Sequence, residues 1–257
     1  MTYHVLNGDA LVERFLATDL AGEVIIAREA LVVGDVSGNT LNDFWQVRAT
    51  HWGEPYQKYK SKVVAEYEKL LQAPDASEFN LWFEYDLFCQ VNLWFILHLL
   101  VTTPGNKKVY SVYTSHLSKE HPHFWTGYGH VTTQDLQNCF AQRIALTDAD
   151  IEFGNELWLA YKAADLQKLT DLAQQPRPAF PYLQEVVKAH IDRLPEDEEP
   201  GRPERTIRDI LSHTYGDFNT VFAEFQKREG IYGFGDTQVK ELYHKVLQDR
   251  NRNQSNW

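Results

Sequence analysis

Three short polar clusters carry the residue types that could do chemistry. Asn7-Gly8-Asp9 follows the β-prone run Tyr3–Leu6 and precedes a helical pattern from Ala10 to Ala17. Arg28-Glu29 closes the apolar run Glu23–Ala27, and Glu84-Tyr85-Asp86 closes a third run over 79–85. Behind the third cluster, Gln90 and Asn92 interrupt an otherwise apolar helical stretch, and Gln90 shares a face with Asp86 at a spacing of four. Carboxylates in such places can act as acids, bases or electrostatic anchors, which makes Asp9, Glu84 and Asp86 the residues for acid–base work if the protein has any. An acidic residue in the first turn repels a bare phosphate, so a ribose, an amine or a metal-bridged phosphate suits Asp9 better, with Arg28 available to offset its charge. Each residue also has a plainer reading. Asp9 and Asp86 can be helix N-caps, and Asn92 can satisfy a neighbouring backbone group.

These clusters converge only if the elements around them form a parallel sheet. Strand and helix alternate from Tyr3 to Thr114: strands at 3–6, 23–27, 79–85 and 108–114, with helical patterns at 10–17, 41–72 and 87–100 between them. That alternation predicts an α/β domain, a mostly parallel Rossmann-like sheet covered by helices on both sides, over residues 1–131. In such sheets ligands bind beyond the carboxyl ends of the strands, where all three clusters lie. After Gly129 the pattern turns helical. Thr132 with Asp135 and Thr147 with Asp150 are capping boxes, the second helix runs to about residue 174, and another spans 181–194. An acidic, proline-flanked stretch at 195–201 reads as a linker, followed by short helices near 203–213, 218–228 and 236–248. Residues 132–257 are therefore expected to form an all-helical half, divided at 195–202.

Several chemistries are excluded or weakened. The sequence holds no GxxxxGK[ST], no GxGxxG and no GxSxG, which removes the ordinary ATPase, dinucleotide-oxidoreductase and serine-hydrolase signatures. Its two cysteines, Cys89 and Cys139, form no CxxC and read as small apolar side chains. His116, His121, His123 and His130 crowd one loop, but no accompanying cysteine or HExxH fixes a zinc geometry. The loop, which also carries Phe124, Trp125 and Tyr128, reads better as a lid over the sheet edge, and no metal site is assigned. Gly233-Phe-Gly-Asp236 reads as a turn followed by an Asp N-cap, not as a phosphate loop.

The chain has 257 residues and a net charge of −11, shared about equally between 1–131 and 132–257, which disfavours nucleic acid as a partner. The longest apolar run, Val91–Val101, is too short to span a bilayer, and the N-terminal residues do not form a signal peptide. No membrane partner is expected, and a cytoplasmic location is.

The segments His4-Val-Leu-Asn-Gly-Asp9 and Leu81-Trp-Phe-Glu-Tyr-Asp-Leu-Phe-Cys-Gln-Val-Asn92, with Gly127-Tyr-Gly129, resemble the bacterial proteins grouped as domain of unknown function 1835 (DUF1835). The stretch from Arg202-Pro-Glu-Arg205 to Phe234-Gly-Asp236 is similar to the helical region that often follows that domain. The resemblance implies Asn7, Gly8, Asp9, Asp86, Gln90 and Asn92 as family-like positions and brings no established activity with it.

Two functions follow as expectations. The first is binding of, and action on, a small polar, nucleotide-like ligand at the strand ends by Asn7, Gly8, Asp9, Arg28, Glu84, Asp86, Gln90 and Asn92; the spacing names neither cofactor nor reaction. The second is a regulatory or protein-interaction module with a helix-turn-helix-like C-terminal segment, beginning at Arg202, Arg205 and Arg208. Residues 202–252 hold nine basic against eight acidic residues, too even for a DNA reader. A homodimer is left open by either.

Overall fold

The structure, a computed structural model, describes residues 1–254 apart from 115, 116, 122, 123, 126 and 214–216. Five strands form one sheet: β1 (Thr2–Leu6), β2 (Glu23–Ile26), β3 (Glu78–Trp82), β4 (Lys108–Val112) and β5 (Ile144–Leu146). Their order is β2-β1-β3-β4-β5. The first four are parallel, with Val5 level with Ile25 on one side and Leu81 on the other. Strand order therefore reverses between β1 and β3, the switch point at which doubly wound sheets open a crevice for ligands.

Helices connect the strands. α1 (Val12–Leu16) joins β1 to β2, and α2 (Leu41–His51), α3 (Tyr56–Tyr59) and α4 (Ala65–Leu71) lead to β3, with a π-helical turn at Lys60–Val64 between the last two. α5 (Leu87–Thr102) leads to β4, and α6 (Thr133–Ala141) to β5. Beyond the sheet come α7 (Asp148–Lys162), α8 (Leu166–Ala173), α9 (Leu183–Asp192), α10 (Arg202–His213), α11 (Phe218–Glu229) and α12 (Asp236–Gln254).

Alternation along the strands sends side chains to two apolar layers. Leu6, Trp82 and Val112 meet Leu11 and Phe15 beside α1 and Leu136 and Cys139 of α6. Val5, Phe79, Leu81 and Val109 face the larger layer, built with Phe44, Tyr67 and the apolar length of α5. α5 is wrapped on nearly all sides, which explains its continuous apolar run. It packs most closely on α7, where a Cβ at Gly154 would overlap Leu97.

The capping boxes hold as read: Thr132 with Asp135 opens α6, and Thr147 with Asp150 opens α7. Three features differ from the sequence reading. The stretch expected to be wholly helical contains β5, an edge strand antiparallel to β4, too short at three residues for periodicity to reveal. The long helix expected to reach 174 breaks at Ala164, whose φ of 52° leaves the helical region, and Asp165 caps α8 anew. β3 stops at Trp82, so Glu84, Tyr85 and Asp86 lie beyond the strand in the loop entering α5. The acidic stretch at 195–201 turns back on itself through a Glu196–Glu199 bridge. Among the described residues no helix is long and apolar enough to cross a membrane.

Candidate functional site

The cleft lies at the switch point. It encloses about 470 Å³ between the exits of β1 and β3, α1, the turn at Gly127–His130 and the α11–α12 connection. Asn7, Glu84, Asp86 and Cys89 give it a polar floor, and Trp82, Phe88, Trp125, Tyr128, Phe222 and Phe234 give it aromatic walls. A second cleft of about 420 Å³, lined by Gly8, Asp9, Arg28 and Glu29, shares Asn7, Ala10, Phe88 and Gly233 with it. The three polar clusters thus stand at one rim, as the topology requires.

The floor is built by local turn chemistry. Asp86 is buried and caps α5, its Oδ1 accepting from the Cys89 amide at 3.0 Å. Glu84, partly buried, accepts from the Tyr128 amide at 2.6 Å and from the Cys89 thiol at 3.3 Å. Gln90 donates to the Glu84 carbonyl at 2.7 Å and so fixes the loop between them. Asn7 donates to Cys89 Sγ at 3.0 Å. Burial pushes both carboxyls above their ordinary values, and the neighbouring Asp86 charge adds to the effect on Glu84. The Cys89 thiol is driven up by the same burial and by the two carboxyls, and so remains protonated. Arg14 is the one basic side chain among the described residues lining this cleft, and it donates to the carbonyls of Gly129 and Val131. Its charge lowers Glu84 only as the weakest of the influences on that group. The pair therefore sits in a largely apolar crevice with no cation in contact among the described residues.

Oxygen and sulfur atoms of Glu84, Asp86 and Cys89 all lie within 4.8 Å of one another, a donor set a metal ion could use. Within that set the thiol is already engaged by Asn7 and Glu84.

The remaining expected site residues are structural to different degrees. Asn92 is saturated: it donates to Asn7 Oδ1 at 2.8 Å and the Glu29 carbonyl at 2.7 Å, and accepts from the Leu31 amide at 3.1 Å. It ties together the exits of β1 and β2 and the body of α5. Gly8 turns the chain with φ 79°, its amide reaching the carbonyls of Leu6 and Ala27. Asp9 is not a side-chain cap, because the position preceding α1 belongs to Leu11, which makes no side-chain bond. Instead Asp9 is exposed and paired with Arg28 at 2.9 Å. Arg28 reaches on to the Lys62 carbonyl in the π-helical turn.

Glu29 differs from both. It is fully buried against Arg48 at 2.7 Å and also receives the Tyr59 hydroxyl and the Trp52 indole N–H. That network is a closed structural clamp beside the second cleft.

Sequence reasoning missed the roof. Phe222 and Gln226 of α11, with Gly233 and Phe234, close the cleft from more than a hundred residues away. Gly233 has φ 62° and lies flush on Asp86, where a Cβ would overlap Oδ1. The signal was present in the Gly-Phe-Gly turn, which requires positive φ but does not say against what it packs. Asp236 is the first residue of α12, and the Gly235 amide before it is bonded by Gln238 Oε1 at 3.0 Å. In the histidine-rich loop, His116, His123 and the His130 side chain lie outside the described residues, while Trp125 and Tyr128 line the cleft.

No protein-family model, curated protein or solved structure matches the chain.

Proposed function

We propose that the protein binds a small, polar, nucleotide-like ligand in the crevice at the β1/β3 switch point. The observation that carries the reading is the coincidence of the fold's ligand-binding position with a roofed cleft that has aromatic walls and a hydrogen-bonding floor. Its volume suits a heterocycle with a small substituent. The ring stacks among the aromatic side chains, its polar edge meets Asn7, Glu84 and Asp86, and a sugar or phosphate tail extends towards Gly8 and Arg28 in the adjoining cleft. Gln90 and Asn92 hold this floor in place without contacting the ligand. Membership of the DUF1835 group stands beside this as a proposal carried by the motif residues alone.

A thermal-shift panel of nucleosides and nucleotides tests it. At least one should raise the melting temperature of the wild-type protein and not that of Glu84→Gln or Asp86→Asn, with the far-ultraviolet spectrum unchanged. A panel without any shift, or shifts equal in all three proteins, would overturn the reading.

The regulatory alternative loses its basic face. Arg202 is paired with Glu229 and Asp192, Arg208 with Glu204 and Asp249, and Arg205 bonds the Pro200 carbonyl. α11 and its connection to α12 roof the cleft.

A further inference from the structure

We infer that the ligand of this cleft presents a planar, cationic or amidine-type edge to the Glu84–Asp86 pair. The inference rests on the proposed binding site and names the chemistry the site selects. Two carboxyl groups are placed side by side in a crevice walled by aromatic rings, and no salt bridge reaches either among the described residues. A buried carboxylate without a cation is expensive to maintain, so the site keeps protons or acquires positive charge from outside. A ligand that brings the charge, or a pair of parallel N–H donors, meets a carboxylate in the bidentate geometry that gives strong charge-assisted bonds. The aromatic walls favour the same choice, because ring faces attract a flat cation and offer nothing to a hydrated metal ion. Phosphate is the wrong complement for this floor: Asp86 itself occupies the amino-terminal end of α5, and Arg14 is committed to two carbonyls.

Binding then has a proton balance. The groups facing the pair are the Cys89 thiol from α5, Arg14 beside the cleft, and the Tyr128 amide and ring from the Gly127–His130 turn. Burial keeps the thiol and the phenol protonated, so the proton expelled by an incoming cation comes from the carboxyl pair and goes to the buffer.

Benzamidine and benzamide form the test pair, because they share size and planarity and differ in charge. Titration calorimetry of the full chain should show benzamidine binding at least about tenfold tighter than benzamide, as expected for a hydrogen bond to a charged group. Heat differences between phosphate and Tris buffers should report proton release on benzamidine binding alone. Glu84→Gln should remove most of the preference and the proton release, weakening benzamidine far more than benzamide. Asp86→Asn should do the same if Glu84→Gln fails to fold. Equal affinities for the two probes, or a preference that survives in both variants, would overturn the inference. So would stoichiometric binding of Zn²⁺ or Mg²⁺ at this floor with no benzamidine binding. If nucleosides bind but benzamidine is not preferred, the binding reading stands and this one falls; if neither class binds, both fall.

Discussion

Two buried carboxylate sites lie side by side at the strand ends and are built on opposite principles. Glu29 meets Arg48 with both side chains fully excluded from solvent, and a phenol, an indole and a backbone amide take up its remaining capacity. Glu84 and Asp86, two strands over, are satisfied by backbone amides and a thiol and have no cation in contact among the described residues. The first arrangement spends every lone pair inside the protein. The second leaves a pair of carboxyl groups, without a cation in contact among the described residues, in the floor of a roofed cleft. The lesson is that burial of a carboxylate says little about its role until its neighbours are counted: a closed set of partners makes a clamp, an open one makes a candidate site.

The contrast can be broken most severely at Arg48. Arg48→Met leaves Glu29 buried without its cation and should destabilise the protein by about 3–5 kcal/mol in urea unfolding, while Glu84→Gln changes stability far less. Comparable losses in the two variants would abolish the distinction. Gly233→Ala comes next, with an expected loss of about 1–3 kcal/mol from its positive φ and the overlap with Asp86. Gly8→Ala, where a Cβ meets nothing within 4 Å, should lose only the backbone part of that. Adding Asp86→Ala to Gly233→Ala should recover part of the loss, and a double-mutant cycle reads the coupling.

The dependence on pH sharpens the comparison further. Glu84 and Asp86 are raised in the folded protein, so the folded chain retains protons that the unfolded chain gives up as pH increases. Their stabilising contribution is complete below the unfolded carboxyl values and is lost as pH rises through the folded ones. Glu84→Gln should therefore exceed wild type in stability by on the order of 1 kcal/mol at pH 8, with the gap closing towards pH 4, as followed by urea midpoints. The smallest effect belongs to Asp9→Ala. Its exposed pair with Arg28 should be worth no more than about 1 kcal/mol by the same measurement.

Much of this was legible in the sequence because it is written locally. Capping threonines, strand ends before polar clusters and the apolar α5 are all patterns within a dozen residues, and they led to Asn7, Glu84 and Asp86. The reading failed where partners are distant. Asp9 looked like a cap, but Arg28, a strand away, competes for its carboxylate. Cys89 looked like helix filling, yet the turn of α5 brings it beneath Glu84. The roof residues Phe222, Gln226 and Phe234 carry no local mark of function, since only tertiary packing places them over β3. β5 escaped because three residues of edge strand obey no detectable period.

The seating of Gly233 on Asp86 has a consequence for water. The connection between α11 and α12 covers a floor made by the loop entering α5, so loosening that connection would wet both carboxyls at once.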